Sequence, residues 1–391
     1  MWLMADILYI CFNSIREPLV HSQVLAYMEG LQQKGWRFTL FTAESKMTKS
    51  EIDEMSASLR DKDINWCPIF KGRFKVLGQI RQMVNLACQW HKEEKFSLVH
   101  ARSFYSALVA RWVSNKIKIP YIYDIRGFWV DEKVYKGKLR QNSFLYKFLK
   151  RLDAKNYNQA SAIVSLTQKA VAIIKNDCFK NGVKIPIAVI PTCVDTTVFK
   201  SHQNKIKSFV YLGSIGDGYM GDVIFKVFSI VQRNYPNYKI ILISRSQKKL
   251  VEKLAQNNKV DLSKISHLRL NHQQVPKELG QYTIGLSFIQ PHFSKKASCA
   301  TKIGEYMACG MPVLCNSGVG DMDEILSAEV AVLCDDYSPE LLVNAIDDII
   351  SLSQERQTVK LCQSLAGKYF SLKHGIQHYD KVYTKVQRLS K

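Results

Sequence analysis

Short apolar segments alternate with amphipathic stretches over the whole length of the chain. In the first half, helical periodicity near residues 19–34 and 74–91 interrupts a series of apolar segments, which are ADILYICF, WRFTLFT, SLVH, YIYD and SAIVSLT. In the second half, helical or loop stretches separate KSFVYLG, KIILIS, HLRL, IGLSF, PVLC and VAVLC. Strands that alternate with helices are typical of parallel sheets covered on both faces. The pattern therefore predicts an α/β fold with two doubly wound, Rossmann-like domains.

The boundary between the two series sets the predicted domain limits. A chain of 391 residues with 47% hydrophobic content is too long for one ordinary core and fits two domains. In the intervening segment IAVIPTCVDTTVF, Pro191 and Asp195 break regular structure. We predict one domain at residues 1–195, a second at 196–370 and a C-terminal helix at 371–391.

Charge and cysteine usage narrow the classes of function. The net charge of +21 favours an anionic partner, which is nucleic acid, acidic lipid or a phosphorylated substrate. The ten cysteines form no CxxC pair and lie mostly in apolar runs, as reduced core thiols of a cytosolic protein do. No apolar run approaches the roughly 18 to 20 residues of a membrane span. We therefore expect a cytoplasmic protein.

Several motifs for metal and nucleophile chemistry are absent from the sequence. There is no Walker A lysine loop, no serine nucleophile elbow and no zinc-finger spacing. His374 and His378 are four residues apart, but no acid lies between them as it does in HExxH. We therefore expect neither a metal ion nor another cofactor.

The segment CATKIGEYMACGMPV, at residues 299–313, carries the clearest candidate site. Thr301 suits the start of a short helix that Gly310 ends. The free N–H groups of a helix start attract phosphate, and Lys302 adds a full positive charge there. Glu305, one turn further on, can accept hydrogen bonds from two hydroxyl groups. The pair would bind a diphosphate and a ribose diol, which together describe a nucleotide sugar; a surface ion pair is the alternative.

This segment resembles the donor site of GT-B glycosyltransferases, in particular of the retaining glycosyltransferase family 4. A Glu-(Tyr/Ala)-(Met/Leu)-Ala-Cys/Ala-Gly-x-Pro-Val pattern binds the donor ribose in that family, which gives Glu305 this role. Many members carry a second Glu eight positions earlier, where this chain has Ala297. The segment at 187–199 resembles the family's interdomain IPNGVD...F segment. The resemblance implies an acceptor-binding first domain that faces a donor-binding second domain across a cleft, and a last helix that crosses back to the first domain.

A glycine-rich turn, GSIGDG at residues 213–218, follows the strand KSFVYLG. It resembles the donor-phosphate turn of the family. Many members carry a basic residue after the first glycine and a lysine a few positions on, where this chain has Ser214 and no nearby lysine. We expect Gly213 and Ser214 to line the donor site, and Lys302 with Arg245 to meet the phosphate charge. The alternative for Arg245 is a solvated turn residue.

The segment LVHARSF puts His100 and Arg102 at a strand end of the first domain. Family 4 enzymes often carry His-x-His here, with the second His near the reacting centre. Arg102 replaces that second His with a permanent cation, which suits phosphate or an anionic acceptor group. The alternative for His100 is a core histidine.

The segment YIYDIRGFWVDE, at residues 121–132, also follows a strand. It resembles the D-x-R-G-F-W-x-D-E segment of a bacterial subset of family 4 that includes enzymes of surface-polysaccharide assembly. Asp124 or Asp131 would orient an acceptor hydroxyl, and Arg126 would contact an anion; an Asp124 to Arg126 ion pair that braces the loop is the alternative. Arg102, Asp124 and Arg126 are our candidate catalytic residues.

The first βα loop, CFNSIREPLVHSQV, lacks the Gly-Gly that is usual in the family. Its Arg-Glu-Pro sequence matches the same bacterial subset. We expect the polar side chains of this loop to line the cleft. The candidate acceptor-binding residues are Asn13, Arg16, His100 and Asp131.

Residues 133–155 hold eight basic residues and one acidic residue. A helix here would group Phe144, Leu145, Phe148, Leu149 and Leu152 on one face, with Lys147, Lys150 and Arg151 opposite. One interpretation is that the apolar face packs into the core of its own domain. The other is that the helix docks on an anionic membrane surface, where lipid-linked acceptors are found.

The sequence predicts a cytosolic, membrane-peripheral, retaining glycosyltransferase on the inner face of the membrane. It would move a sugar from a nucleotide-diphosphate donor to a lipid-linked or oligosaccharide acceptor in surface polysaccharide or lipopolysaccharide assembly. One rival is a UDP-sugar 2-epimerase-like GT-B enzyme, which Arg102 disfavours because such enzymes carry acidic and histidine residues for proton transfer. The other is a basic nucleic-acid-binding protein, which requires a basic stripe with stacking aromatics. We expect no nucleic-acid partner.

Overall fold

A computed structural model describes residues 5–72, 75–178, 185–216 and 218–389 of the chain. It divides into two compact units. Unit 1 comprises Met1–Pro191 with Gly375–Lys391, and unit 2 comprises Thr192–His374. The sequence-based limits were 195/196 and 370/371.

Unit 1 is built on one parallel sheet. Its strands are β1 Ala5–Cys11, β2 Trp36–Glu44, β3 Ile64–Phe70, β4 Leu98–Arg102, β5 Tyr121–Asp124, β6 Ala162–Ser165 and β7 Ile187–Val189. Among the described residues they form a seven-stranded sheet in the order β3-β2-β1-β4-β5-β6-β7. The order reverses between β1 and β4, which confirms the predicted doubly wound topology. Ligands of open α/β sheets bind beside such a reversal, at the carboxyl ends of the strands.

Helices fill the connections of unit 1. They are α1 Pro18–Val20, which continues through a π-helical turn His21–Leu25 into α2 Ala26–Gln32, then α3 Lys49–Arg60, α4 Lys75–Glu94, α5 Phe104–Ile117, α6 Trp129–Tyr135, α7 Phe144–Gln159 and α8 Gln168–Cys178. The helix predicted near residues 74–91 is α4, and Phe74 lies outside the described residues.

Two strands of unit 1 are absent from the sequence-based series. β3 lies at one edge of the sheet and contains Pro68, which lacks an N–H and is tolerated in edge strands. β7 is three residues long and lies in the segment that the sequence assigned to the interdomain linker. Its pairing with β6 makes it the opposite edge of the sheet.

Unit 2 repeats the architecture. Its strands are β8 Ile206–Leu212, β9 Lys239–Ile243, β10 Ile265–Leu268, β11 Tyr282–Ser287, β12 Val313–Cys315 and β13 Ala331–Leu333. Within the part of the chain that the structure describes, they form a six-stranded parallel sheet in the order β10-β9-β8-β11-β12-β13. Its helices are α9 Gly221–Asn234, α10 Lys248–Asn257, α11 Val275–Leu279, α12 Thr301–Ala308, α13 Met322–Ile325, α14 Pro339–Gln354 and α15 Arg356–Leu365, with 3-10 turns at Leu262–Lys264 and Phe293–Ala297 and a π-helical turn at Ala366–Phe370. The reversal lies between β8 and β11.

A large apolar core holds the second sheet to its helices. Phe209, Leu242 and Leu286, from the adjacent strands β8, β9 and β11, are fully buried together with Phe228 of α9 and Ile346 of α14. Removing apolar surface from water contributes about 25 cal/mol per Å². This core therefore fixes β8 and β11, and with them the loops that follow both strands.

The last helix, α16 Leu372–Leu389, packs on unit 1. Tyr383 is fully buried, and its hydroxyl lies 2.7 Å from Nδ1 of His100. Nε1 of Trp36 donates a hydrogen bond of 2.8 Å to Oδ1 of Asp380. The structure thus confirms that the C-terminal helix packs on the first domain.

Removing the Tyr383 hydroxyl should destabilise unit 1. Tyr383→Phe keeps the ring but leaves the buried Nδ1 of His100 unpaired, which costs about 1 to 3 kcal/mol. Urea unfolding of the full chain should give a correspondingly lower apparent free energy of unfolding. Tyr369→Phe removes a hydroxyl from a half-buried ring and serves as the control, with an expected change below about 0.5 kcal/mol. Equal stability of Tyr383→Phe and the wild type would contradict this account of the helix.

Candidate functional site

Helix α12 begins directly after β11 and the 3-10 turn, and it is buried along its length. Its N-cap is Ala300, whose side chain makes no capping hydrogen bond, and Thr301 is the first helical residue. The side chains of Lys302 and Glu305 are only 7% and 8% exposed. Gly310, with φ of 62°, ends the helix in the left-handed conformation. The burial of both charged residues excludes the alternative of a surface ion pair.

Tyr306 locks α12 against the carboxyl ends of β8 and β11. Its hydroxyl oxygen accepts a 2.8 Å hydrogen bond from the N–H of Leu212, and the hydroxyl lies 3.2 Å from the carbonyl oxygen of Leu286. The ring presses on Gly285, where an added Cβ would come within 2.4 Å of a ring atom. Only glycine permits this approach. Tyr306 therefore sets the position of Lys302 and Glu305 at the reversal point of the sheet.

The ammonium group of Lys302 lies between two aromatic rings. Nζ is 4.1 Å from the ring centroid of Tyr211 and 4.5 Å from that of Tyr219. A Cβ at Gly213 would lie 3.3 Å from Nζ, so the cation also faces the glycine turn. Nζ has no hydrogen-bond partner among the described residues. Cation–π contacts offset part of the burial cost, but the hydrogen-bonding capacity of the group is unused.

Burial shifts both charged residues of α12 toward their neutral forms. It lowers the pKa of Lys302 to about 7, although the attraction of Glu305 opposes the shift. It raises the pKa of Glu305 to about 7, although Lys302 opposes that shift. An anion bound at Lys302 would favour the ammonium form. The site is therefore arranged to hold an anion beside a carboxyl group.

The glycine turn and Arg245 differ in how they approach this cation. Gly213 has φ of 118°, a conformation that side chains disfavour, and it lies against Lys302. Ser214 is exposed, and its carbonyl oxygen accepts a 2.7 Å hydrogen bond from the hydroxyl of Tyr211. Arg245 is exposed, and its Nε donates to the carbonyl oxygen of Leu270 at 3.0 Å, a geometry that matches the solvated-turn alternative. Position 217 of the turn lies outside the described residues.

A lysine that the sequence analysis missed lies beside the same turn. A Cβ at Gly218 would be 3.7 Å from Nζ of Lys295. The turn is tied to this region because Gln290 N–H donates to the carbonyl oxygen of Gly218 at 3.0 Å. Ala297, at the position where many family members carry a second Glu, is fully buried in the same 3-10 turn as Lys295. Lys295 could not be assigned to the glycine turn from the sequence, because the two are distant along the chain.

A second lysine, which is half-buried, lies at the other end of α12. Nζ of Lys205 donates to the carbonyl oxygens of Cys309 and Gly310, at 2.7 and 3.0 Å. Burial lowers the pKa of Lys205 to about 8. Its hydrogen bonds satisfy carbonyl groups that a helix end leaves unpaired. Lys205 is thus a structural cation, in contrast to Lys302.

In unit 1, Asp124 at the end of β5 is the centre of a buried polar network. Its carboxylate accepts hydrogen bonds from Nη1 of Arg126 at 3.3 Å, from the hydroxyl of Tyr379 at 3.1 Å and from Nε2 of His100 at 3.3 Å. Burial alone would raise the pKa of Asp124, but the charge of Arg126 and the hydrogen bond from His100 hold it well below its usual range. The carboxylate is therefore ionised. The Asp124 to Arg126 ion pair is the one considered as the bracing alternative.

His100 has both ring nitrogens engaged. Nε2 donates to Asp124, so Nδ1 accepts from the hydroxyl of Tyr383. Its ring stacks on that of Tyr9, with centroids 4.1 Å apart. Burial lowers the pKa of His100. The geometry is that of a core histidine, the alternative considered for this position.

Arg102 ends β4 beside the reversal point of the first sheet. It is in register with Cys11 of β1 and Asp124 of β5. Its side chain is buried, and Nη1 has no hydrogen-bond partner within the described ranges. Arg102 thus offers a buried N–H group for an acceptor atom that the described chain does not provide.

The first βα loop engages its own polar groups. Nδ2 of Asn13 donates to Oε2 of Glu17 at 2.7 Å, and Arg16 is exposed and pairs with Glu51 at 3.3 Å. A fully buried carboxylate, Glu44 at the end of β2, accepts the N–H of Ile15 at 2.8 Å. No motif in the sequence pointed to Glu44, which fixes this loop from a strand 29 residues away.

Asp131 on α6 joins two helices. Its carboxylate accepts hydrogen bonds from the hydroxyl of Tyr146 and from Nζ of Lys150, both at 3.0 Å and both from α7. Of the predicted residues in unit 1, the structure therefore brings together His100, Asp124 and Arg126, whereas Asp131 is engaged elsewhere.

No cluster of three or more His, Cys, Asp or Glu side chains suited to a metal ion occurs among the described residues. None of the described helices combines the length and apolar character needed to cross a membrane.

Replacing Lys302 by Met should stabilise the unliganded protein near neutral pH. Below about pH 7 the lysine is charged in the folded and the unfolded chain, so its burial cost is fully present there. As the pH rises from about 7 toward the ordinary lysine value of 10.5, the folded lysine is neutral while the unfolded one still holds its proton, and the cost falls. Urea unfolding at about pH 7 should give Lys302→Met a gain of about 1 to 3 kcal/mol that shrinks by about pH 10.

Lys205→Met is the control because it removes a half-buried lysine that is hydrogen-bonded. It should lower the free energy of unfolding. A loss of stability in Lys302→Met at neutral pH would contradict the assignment of Lys302 as an uncompensated cation.

Several solved structures share the fold of this chain over nearly its whole length. Sucrose-phosphate synthase from Thermosynechococcus elongatus superposes with a TM-score of 0.77 at 13% identity, over 98% of this chain and 100% of that one. The Anabaena protein HepE, solved with UDP, gives 0.72 at 13% identity over 97% and 100%. The lipopolysaccharide outer core galactosyltransferase WaaB gives 0.63 at 13% identity over 97% and 99%. At this identity the likeness establishes a shared fold.

Two family models match consecutive parts of the sequence. The model described as "Glycosyl transferase 4-like domain" matches residues 20–192, and that described as "Glycosyl transferases group 1" matches residues 196–361. No curated protein sequence matches the chain. Together the two models span most of both units and fit glycosyltransferase family 4. The chain therefore belongs to the glycosyltransferases of the GT-B fold.

Proposed function

We propose that this glycosyltransferase moves a sugar from a nucleotide-diphosphate donor to a lipid-linked glycan acceptor with retention of anomeric configuration. Surface polysaccharide or lipopolysaccharide assembly is the proposed setting. The observation that carries the proposal is Lys302, a buried ammonium group without a hydrogen-bond partner among the described residues, beside the glycine turn at Gly213. A diphosphate would supply the missing acceptors.

The proposed donor contacts follow from the charges at α12. Lys302, the helix start and the turn at Gly213 would bind the diphosphate, with Lys295 as an additional cation at the far side of the turn. Glu305 would accept hydrogen bonds from the ribose. Negative charge grows on the departing diphosphate in the transition state, so a desolvated cation there lowers the barrier. HepE has been solved with UDP and with UDP-glucose, which supports a nucleotide sugar as donor.

The proposed route to retention uses no protein base. In family 4 it is usually explained by front-face attack, with a leaving phosphate oxygen taking the proton of the acceptor. Asp124 is a poor general base because its pKa is held far below neutral and three donors already occupy it. We assign Asp124 the task of positioning Arg126. The unused Nη1 of Arg102 suits an oxygen of phosphate or of an anionic acceptor.

The lipid-linked acceptor and a place at the inner face of the cytoplasmic membrane are further parts of the proposal. The net charge of +21 favours anionic surfaces and substrates. The neighbour WaaB is described as a lipopolysaccharide outer core galactosyltransferase, which supports an acceptor of this kind.

Loss of either charged residue of α12 should weaken nucleotide binding. We expect Lys302→Met and Glu305→Gln each to raise the Kd of UDP by at least about tenfold, because each removes a hydrogen bond to a charged group. Isothermal titration calorimetry on the full chain measures this. Arg233→Gln, on the partly exposed side of α9, is the control and should leave Kd within about twofold. Equal affinity in all four proteins would refute the donor site, and binding of GDP or dTDP in place of UDP would reassign the base.

The stereochemical outcome tests the reaction itself. With an α-linked nucleotide sugar and a glycan-lipid acceptor, NMR of the first product should find an α-linkage. A β-linked product would refute retention. Conversion of the donor sugar without any acceptor would favour the epimerase-like alternative.

A further inference from the structure

Helix α7 presents its aromatic side chains to solvent. Phe144 is 84% exposed, Leu145 54% and Phe148 47%. The residues that α7 buries are instead Asp153, Asn156 and Tyr157. The interpretation that Phe144, Leu145 and Phe148 pack into the core of their own domain is therefore wrong.

Polar contacts explain why the helix faces this way. The carboxylate of Asp153 accepts a 2.9 Å hydrogen bond from the hydroxyl of Tyr123 on β5, and the Tyr123 and Tyr157 rings lie 5.0 Å apart. On the adjoining side, Lys150 binds Asp131 of α6. These contacts fix the inward face of α7 and leave Phe144, Leu145 and Phe148 on its exposed side.

The start of α7 is also fixed. The hydroxyl oxygen of Ser143 accepts the N–H of Tyr146 at 3.2 Å and caps the helix. Phe144 is thus the first helical residue on an ordered helix start. A group of exposed apolar side chains on an ordered helix, unlike a single one, marks a surface that contacts a protein or a membrane.

Exposed basic side chains accompany these aromatic residues along the chain. The exposed ones between residues 133 and 155 are Lys138, Arg140, Lys147, Arg151 and Lys155. None of these five forms an ion pair within the described part of the chain. Two others are engaged, since Lys133 lies over the ring of Trp129 and Lys136 pairs with Glu132. The one acid of this stretch, Asp153, is buried.

The aromatic and basic residues alternate on one face of α7. Phe144, Lys147, Phe148, Arg151 and Lys155 follow the spacing i, i+3, i+4, i+7 and i+11, which places them in one stripe along a helix. The sequence-based helix had put Lys147 and Arg151 opposite the apolar residues. The surface is therefore mixed, with apolar groups at the helix start and cations along and beside them.

We infer that this stripe, with Leu145, Lys138 and Arg140, docks unit 1 on an anionic lipid bilayer. Phe144, Leu145 and Phe148 would enter the headgroup region, and the five cations would contact acidic headgroups. Charge complementarity favours an anionic bilayer because every charged residue of the stripe is a cation. The aromatic residues would gain nothing from a partner that offers charge alone, whereas a bilayer also offers an apolar interior. The inference relies on the proposed function only for its purpose, which is to bring the enzyme to a lipid-borne acceptor.

Vesicle co-sedimentation of the full chain tests the inference. Wild type should bind phosphatidylcholine vesicles that contain phosphatidylglycerol, bind pure phosphatidylcholine vesicles far more weakly, and lose affinity as salt rises. Phe144→Ser with Phe148→Ser, and separately Lys147→Gln with Arg151→Gln, should each weaken binding by about tenfold or more.

Matched controls lie on unit 2. Leu341→Ser removes an exposed apolar side chain from α14, and Lys249→Gln with Lys253→Gln removes two exposed cations from α10. Both controls should bind acidic vesicles within about twofold of wild type. Thermal unfolding of the α7 variants should match wild type because the replaced side chains are exposed.

Three results would overturn the inference. They are equal binding to neutral and acidic vesicles, undiminished binding of the α7 variants, and self-association of wild type that the α7 variants lose while no protein binds vesicles. UDP titration of the same proteins separates this inference from the proposed function. Intact UDP binding without vesicle binding refutes the membrane surface alone, and the reverse pattern refutes the donor site alone.

Discussion

The withdrawal from water of two lysines at opposite ends of α12, Lys302 fully and Lys205 in part, is the constraint on which unit 2 depends. A buried ammonium group is costly unless it is paired or hydrogen-bonded. Lys205 donates to two carbonyl oxygens at the end of the helix and so repays part of its cost. Lys302 contacts the ring faces of Tyr211 and Tyr219 and makes no hydrogen bond to any residue that the structure describes. The close packing of Tyr306 on Gly285, together with the apolar core of unit 2, holds α12 in place despite the cost of burying Lys302.

The polar groups of unit 1 likewise divide into those that are hydrogen-bonded and those that are not. Asp124 accepts hydrogen bonds from Arg126, His100 and Tyr379. Of these three donors, Tyr379 lies on the C-terminal helix. Arg102, on the neighbouring strand, has a buried Nη1 group without a hydrogen-bond partner in the described part of the chain. In each unit a satisfied network gives rigidity, and an unsatisfied cation lies at the point where the strand order reverses. Preorganised cations of this kind need little rearrangement when an anion binds.

The sequence could predict what periodicity and local motifs encode. Alternating apolar segments gave both doubly wound sheets, and the spacing of Lys302 and Glu305 gave the candidate site on α12. Periodicity could not give Lys295, Lys205 or Glu44, because each acts on atoms far away along the chain. It also could not say which face of α7 points inward. The hydrogen bond from Tyr123, on a strand distant along the chain, to Asp153 turns that face of α7 inward, so the apolar residues at the helix start face solvent.

The costly burial of Lys302 on α12 and the outward aromatic residues of α7 both oppose stability, and both would become favourable with the partners proposed above. Stabilising such positions is easy in principle, since Met at 302 would remove a buried charge and Ser at 144 an exposed ring. Proteins retain residues of this kind where function requires them, because selection acts on function above a stability threshold. A diphosphate would pair with Lys302 and favour its charged form, so donor binding should be accompanied by proton uptake near neutral pH. A bound diphosphate would thus offset the cost of burying Lys302, and in the proposed reaction the same attraction would contribute to affinity and to the departure of the leaving group.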